Sequence, residues 1–233
     1  MTAAASDAGF VAKTLALGRK DLQIEARARD TLPPMLAFAF SVTLLLAFTL
    51  PDAEPQPPNV LAGFFWITVL FAGLIGFART FEVERQDGAL DALLLTPIDR
   101  SAIFLAKAAA NLLYIALVQV LLLPAFTILF SLRIGPGLAA LLLVITLVDV
   151  GFVAVGTLFA SLAAETRSRE LMLPILAFPA LVPPFIAGVE LMSNLITGAS
   201  FGELTNAGWF VILVVYDIVF VVVGALAFEF AVE

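Results

Sequence analysis

The chain contains neither cysteine nor histidine among its 233 residues. Disulfides, thiolate nucleophiles, zinc sites and imidazole metal ligands are therefore excluded. Charged residues make up only 13% of the chain, against about 25% in ordinary soluble domains. The net charge of −7 argues against a nucleic-acid binder. No GxxxxGK[ST] motif occurs, so the chain lacks the phosphate-binding loop through which many ATPases hold their nucleotide.

What the chain has in abundance is apolar sequence: 62% of its residues are hydrophobic, including 21 phenylalanines. A soluble fold of this length could not bury so much apolar surface, so we predict an all-α polytopic membrane protein. Six apolar segments approach the ~20 residues that cross a bilayer core. The predicted spans are about 32–50, 60–78, 101–130, 137–162, 167–184 and 208–228, within one transmembrane domain of residues 32–233.

The fifth apolar segment is irregular because it contains four prolines. Pro174 and Pro179 lie inside it, and the pair Pro183–Pro184 predicts that the helix ends at 184. Residues 185–196 are then read as a short helix that dips back toward the membrane, which is tolerated only where protein or a cavity surrounds it. A single long kinked helix is the alternative.

The distribution of Lys and Arg predicts the orientation. Ten of them lie in residues 1–30, 79–100 and 163–170, whereas the loops on the opposite side hold only Arg133. We therefore expect both termini on the cytoplasmic side of the membrane. In residues 1–31, Phe10, Val11, Leu15 and Leu22 recur at helical spacing, which predicts an N-terminal helix lying in the membrane interface. A mobile polar tail is the alternative.

Residues 79–100, between the second and third spans, hold five acidic and three basic residues, more than a simple connector needs. Leu90, Leu94 and Ile98 follow helical spacing, and Thr96–Pro97 predicts the end of that helix. The pattern indicates a short amphipathic helix on the cytoplasmic membrane surface, with its polar face turned to a soluble partner. A merely solvated loop is the alternative.

This charged segment carries a family resemblance. The residues Glu84, Arg85, Gly88, Leu90, Leu94, Thr96, Pro97, Arg100 and Lys107 resemble the first coupling region of exporter-type (ABC-2) permeases. With Phe77, Arg79, Phe81, Glu82, Asp91 and residues 103–105 added, the longer run resembles the haem exporter protein B (CcmB) family of cytochrome c maturation. Residues 19–22 and 165–170 agree with that resemblance, which covers essentially the whole chain.

The resemblance implies a permease subunit of an ATP-binding-cassette exporter that acts in haem delivery. It implies a homodimer, a CcmA-like ATP-binding subunit on which ATP is bound, and a CcmC-like membrane subunit beside it. This chain is then non-catalytic and binds no cofactor, with haem as a candidate cargo. The implied coupling interface comprises Glu82, Glu84, Arg85, Gly88, Leu90, Asp91, Leu94, Thr96, Pro97 and Arg100, with Glu84, Arg85, Gly88 and Asp91 as the expected contact core.

Polar residues inside the predicted spans form a second group of candidates. Asp149 and Asp217 lie in the fourth and sixth spans, where a charged side chain costs roughly 2.5–3.5 kcal/mol on insertion scales. Lys107, Asn111 and Gln119 share roughly one face of the third span and are their candidate partners. The group either hydrogen-bonds helices together or lines a pathway, and the sequence leaves both open.

Other functions are weaker alternatives. A permease for a lipid, glycan or drug-like substrate shares the coupling segment, and only the cellular phenotype would tell it apart. An ion-coupled secondary transporter explains neither the charged segment 79–100 nor the lack of an internal repeat. An intramembrane aspartyl protease is disfavoured, because Tyr216–Asp217 matches only half of its signature and the residues around Asp149 do not supply the other half.

Overall fold

A computed structural model of the protein describes residues 9–28, 30–50, 56–81, 99–132, 137–164 and 169–231. Eight helices lie in these ranges: α1 (Phe10–Ala28), α2 (Leu32–Thr49), α3 (Pro58–Arg79), α4 (Arg100–Leu129), α5 (Leu138–Ala164), α6 (Arg169–Ile196), α7 (Phe201–Asn206) and α8 (Gly208–Ala231). Six of them, α2 to α6 and α8, are long and apolar enough to cross a membrane. The prediction of an all-α polytopic membrane protein with six spans is therefore confirmed.

The fifth predicted span ends in the wrong place. The sequence analysis ended it at 184, before a helix that re-enters the membrane, but α6 continues through Pro174, Pro179, Pro183 and Pro184 to Ile196. An interior proline removes one backbone donor and strains the preceding turn, yet neighbouring helices in a membrane protein can satisfy the freed carbonyl groups. The alternative of a single helix through the four prolines is therefore confirmed.

Prolines also lie in the first turns of two spanning helices, α2 and α3. Pro33 and Pro34 lie in the first turn of α2, where their missing N–H groups would have no helical partner in any case. The other free donors of this turn are satisfied by the preceding helix, because the Glu25 carboxylate accepts from the backbone N–H groups of Thr31 (3.0 Å) and Leu32 (2.9 Å). Glu25 therefore fixes the turn between α1 and α2.

The core of the bundle lies where α3, α5 and α6 meet, and aromatic rings fill it. Seven rings form a continuous series of contacts with centroids 4.6–5.8 Å apart, in the order Phe130, Phe126, Phe65, Trp66, Phe185, Phe152 and Phe77. Most of these pairs meet edge to face, the arrangement that the ring quadrupoles favour. The series links α4, α3, α6 and α5.

Two glycines allow α3 and α5 to approach closely. The ring of Phe77 on α3 lies against Gly156 of α5, and the ring of Phe152 on α5 lies against Gly73 of α3. A Cβ atom at either glycine would overlap the ring that faces it. The two phenylalanines contact each other with centroids 5.0 Å apart and planes at 81°. The reciprocal arrangement fixes the spacing and register of the two helices.

The short helix α7 lies between α6 and α8, in a stretch where the sequence patterns above predict no helix. Its signal is the pattern Ser-x-x-Glu at 200–203, a capping box. The backbone N–H of Ser200 donates to the Glu203 carboxylate at 2.8 Å, and the N–H of Glu203 donates to the Ser200 hydroxyl at 3.3 Å. The hydrogen bond from the Ser200 backbone N–H, followed by the Ser200 side chain, holds the pKa of the Glu203 carboxyl below its ordinary value.

Candidate functional site

The polar residues that the sequence places inside the spans are all buried. Lys107, Asn111, Gln119, Asp149 and Asp217 have relative exposures of 2% to 6%. In hydrocarbon such groups are costly unless they are paired, so their partners indicate which helices the polar contacts connect. The contacts form separate groups at different depths of the bundle.

The first group joins α1 to α4 through a buried ion pair. Asp21 on α1 lies 3.1 Å from the Nζ atom of Lys107 on α4, and both side chains are less than 10% exposed. Lys20 also reaches the Asp21 carboxylate, at 3.2 Å, but its side chain is 42% exposed. Lys107 is therefore paired with the buried Asp21 carboxylate of α1 and does not need to extend its charge toward water.

The surroundings of this ion pair hold α1 against the bundle. Gly18, one turn before Asp21, lies over the backbone of Ala106 on α4, so the two helices approach closely. The N-terminal half of α1 exposes Phe10, Val11 and Leu15. A helix that docks through its C-terminal half and exposes apolar side chains in its N-terminal half is suited to the membrane interface, as the sequence pattern predicts.

The second group joins three spanning helices through Asn111 of α4. Thr80, at the end of α3, donates from its hydroxyl to Asn111 Oδ1 at 3.1 Å, and Asn111 Nδ2 donates to the Thr157 hydroxyl of α5 at 3.0 Å. Because an asparagine amide both donates and accepts, one side chain satisfies a threonine on each neighbouring helix. Sequence reasoning singled out Asn111 but neither threonine.

A solvent-open cleft with a volume of about 430 Å³ lies beside these two groups. Its lining includes Asp21, Arg79, Thr80, Lys107 and Asn111, so polar and charged side chains surround it. The cleft lies at the end of α3 and the start of α4, the two points between which residues 82–98 run. We call this part of the bundle, built around Asp21, Thr80, Lys107 and Asn111, the α1 end.

The predicted coupling residues lie mostly outside the described part of the chain. Glu82, Glu84, Arg85, Gly88, Leu90, Asp91, Leu94, Thr96 and Pro97 all belong to residues 82–98, which the structure does not describe. Arg100 is described, and it is the first residue of α4. Immediately before residues 82–98, the ring of Phe81 stacks on that of Phe228 of α8, with centroids 6.1 Å apart and planes at 25°. The Nζ atom of Lys107 lies 5.7 Å from the centroid of the Phe81 ring.

The third group lies deeper and joins α4 to α5. Gln119 Nε2 donates to Asp149 Oδ1 at 2.9 Å, with both side chains buried. Of the three partners predicted for the intramembrane aspartates, Gln119 is therefore confirmed, whereas Lys107 pairs with Asp21 and Asn111 with two threonines. The other amide atom, Gln119 Oε1, has no hydrogen-bond partner among the described residues.

The fourth group joins α8 to its neighbours through the adjacent residues Tyr216 and Asp217. The Tyr216 hydroxyl donates to the backbone carbonyl of Ala180 on α6 at 2.6 Å. Asp217 lies against Gly151 of α5, where an added Cβ would meet its Oδ1 atom. Neither carboxylate oxygen of Asp217 has a hydrogen-bond partner within the described ranges.

The residues that sequence reasoning missed are mainly the partners: Asp21, Thr80, Thr157 and Tyr216 as a hydrogen-bond donor. Thr80 and Tyr216 stood next to residues that were noticed, but their partners lie 31 and 36 residues away along the chain. No local pattern reveals contacts of that separation. In the ranges that the structure describes, no three acidic side chains are grouped so as to hold a metal ion.

An apolar groove runs along the outer surface of the bundle between α3 and α6. Its volume, up to its opening to solvent, is about 850 Å³, and its walls carry Trp66, Ile67, Phe178, Phe185 and Ile186. Aromatic pairs bridge the two helices along it, Phe71 with Phe178 at 6.0 Å and Trp66 with Phe185 at 5.8 Å. Glu190 also lines the groove.

These helices and contacts define a multi-pass, all-α membrane protein whose spanning helices are tied together by buried polar groups. Comparison with known sequences identifies it further. The model of the CcmB protein family matches residues 12–233, and the chain belongs to that family.

Individual relatives agree with the family match. The chain is 32% identical to heme exporter protein B of Rhodobacter capsulatus over 179 residues, which cover 76% of this chain and 81% of the relative. It is 28% identical to heme exporter protein B of Paracoccus denitrificans over 180 residues, covering 77% and 82%. For the protein of that name from Haemophilus influenzae the identity is 28% over 169 residues, covering 72% and 76%.

Proposed function

We propose that this chain is the transmembrane permease subunit of an ATP-driven exporter that acts in haem export for the maturation of c-type cytochromes. The observation that carries the proposal is the family match over residues 12–233, together with relatives named heme exporter protein B. The six spanning helices suit a transport role. The chain itself is non-catalytic, and ATP is bound and hydrolysed by a partner.

The proposed partners are a CcmA-like ATP-binding subunit and a CcmC-like membrane subunit, with two copies of this chain in the complex. Residues 1–31 form a cytoplasmic tail with the interfacial helix, and 32–233 form the permease domain. Both termini lie in the cytoplasm. This topology is supported by the ten Lys and Arg residues on one side against one on the other, and it places the α1 end of the bundle on the cytoplasmic side.

We further propose that residues 79–100 dock the ATP-binding subunit and pass its closure on to the bundle. The anchoring at both ends of the segment supports this role. Thr80 is hydrogen-bonded to α4 and Phe81 is stacked on α8, and Arg100 is the first residue of α4. Movement of a segment fixed in this way would displace several spanning helices together, because packed helices shift between discrete arrangements rather than deforming continuously.

Purification of the tagged chain from its native membrane in mild detergent tests this function. We expect an ATP-binding subunit to co-purify, and Glu84→Lys or Asp91→Lys to remove it while the permease still elutes as a folded species. Glu190→Lys, a charge reversal at an exposed acid on α6, is the matched control and should leave the complex intact. If no ATP-binding subunit is recovered with the unaltered chain, the function is refuted. If the complex survives both reversals, only the docking assignment is refuted.

A further inference from the structure

The hydrogen bond from Tyr216 to Ala180 lies at the point where α6 contains a pair of prolines. In an α-helix the carbonyl of residue 180 accepts from the N–H of residue 184. Residue 184 of α6 is proline and has no N–H, so Ala180 has no α-helical donor. The Tyr216 hydroxyl of α8 donates to this same carbonyl at 2.6 Å. A side chain from another helix therefore supplies the donor that the proline removes.

The position of this contact relates it to the groove between α3 and α6. Two aromatic pairs hold α6 to α3, and they lie on opposite sides of the Ala180–Pro184 turn: Phe71–Phe178 before it and Trp66–Phe185 after it. A bend at this turn moves one pair relative to the other. The walls of the groove contain residues from both sides of the turn. A change in the angle of α6 at this turn would therefore change the width of the groove.

We propose that Tyr216 is a positioning residue for α6: its hydroxyl replaces the backbone donor lost at Pro184 and thereby holds the proline hinge in the conformation that sets the width of the α3–α6 groove. When the bond breaks, the hinge is released and the groove widens. This role concerns the shape of the bundle and does not depend on which molecule the protein transports.

Distance measurement between two spin labels tests the proposal in the full-length chain, reconstituted in lipid nanodiscs. Because the chain has no native cysteine, labels attach only at introduced positions. Ile67→Cys and Ile186→Cys place labels on the two exposed walls of the groove. Ile67→Cys with Leu121→Cys, on α3 and α4, forms a reference pair that excludes α6.

Tyr216→Phe removes the hydroxyl and keeps the ring. We expect the ratio of wide to narrow groove distances to rise roughly three- to twentyfold, the range that measured interhelical hydrogen bonds in membrane proteins imply. The reference pair should keep its distance distribution. An unchanged groove distribution in Tyr216→Phe would overturn the proposal.

The decisive arm is rescue by restoring the backbone donor. Pro184→Ala returns the N–H that Ala180 lacks, so Pro184→Ala with Tyr216→Phe should recover the unaltered distribution. Pro183→Ala restores a donor to residue 179 instead, so it should not rescue Tyr216→Phe. If Tyr216→Phe alone fails to give a monodisperse protein, recovery of that protein by Pro184→Ala and not by Pro183→Ala supports the same proposal. Equal effects of the two alanines, or no rescue by either, would contradict it.

Discussion

At the residue scale, the buried ion pair of Asp21 and Lys107 shows how a single contact fixes the N-terminal helix. Removing one member of a buried pair leaves the other charge uncompensated, which typically costs about 3–5 kcal/mol. An exposed pair contributes about 0–1 kcal/mol, because water and salt screen it. The same carboxylate here has one partner of each kind, the buried Lys107 and the half-exposed Lys20.

We therefore expect Lys107→Met to lower the stability of the protein by roughly 1–3 kcal/mol, less than the full cost of an unpaired buried charge because Lys20 still reaches Asp21. Lys20→Met should lower it by less than about 1 kcal/mol. Thermal unfolding of the purified chain in detergent measures the difference. The double variant Asp21→Asn with Lys107→Met removes both charges and should be less destabilised than Lys107→Met alone. Equal effects of the two single lysine substitutions would contradict the assignment of Lys107 as the main partner.

Asn111 provides a second prediction at this scale, because it hydrogen-bonds Thr80 and Thr157 at once. Each such bond inside a membrane protein contributes about 0.6 kcal/mol on average, so Asn111→Leu should destabilise the bundle by about 1–2 kcal/mol. Thr146→Val is the control, since that exposed hydroxyl bonds only the Leu142 carbonyl of its own helix. Unfolding curves that coincide for Asn111→Leu and the unaltered chain would show that the bridge is not needed.

At the element scale, the reciprocal packing of Phe77 on Gly156 and Phe152 on Gly73 sets how close α3 and α5 lie. Gly156→Ala places a methyl group in overlap with the edge of the Phe77 ring, and overpacking of this kind costs about 1–3 kcal/mol. Gly63→Ala on α3 meets no atom within 4 Å and replaces a poor helix former, so it should be neutral or slightly stabilising. A thermal shift of the same sign and size for both variants would refute the account of this contact.

The capping box of α7 gives a pH-dependent prediction. Because the folded pKa of Glu203 is lowered by its hydrogen bonds to Ser200, the cap contributes stability above the unfolded pKa and loses it as the pH falls through the folded pKa. Amides of residues 201–206 should lose protection in acid, after correction for the intrinsic exchange rate. Glu203→Gln keeps an acceptor at this position and should remove that pH dependence. Protection that falls equally in both proteins would exclude Glu203 as the titrating group.

The extent to which the sequence predicts these elements depends on whether their causes are local. Apolar length places α2 to α5 and α8 within three residues of their observed bounds. The end of α6 was mispredicted because proline at 183 and 184 is a local signal, whereas the donor that completes the turn comes from Tyr216, 36 residues away. The partner of Lys107 was missed for the same reason, since Asp21 reaches it only when α1 docks against α4.

At the scale of the whole molecule, the fold places two of its four buried polar groups at the α1 end, beside the points where residues 82–98 connect to the bundle. Aromatic and glycine packing hold the rest of α3, α5 and α6 together. Hydrogen bonds and an ion pair hold the helices together at the α1 end, and α6 contains a proline hinge beside the α3–α6 groove. A bundle built in this way can move as a few rigid parts. That construction suits a subunit driven by a separate ATPase, which is the function proposed above.

The measurement that tests this central claim most directly is covalent haem attachment to c-type cytochromes in the native bacterium, detected by haem staining of denatured membrane proteins. Deletion of the gene for this chain should abolish the stained bands, and expression of the unaltered chain from a plasmid should restore them. Expression of the Glu84→Lys and Asp91→Lys variants should not. Full haem attachment in the deletion strain would contradict the claim and would favour a permease for another substrate.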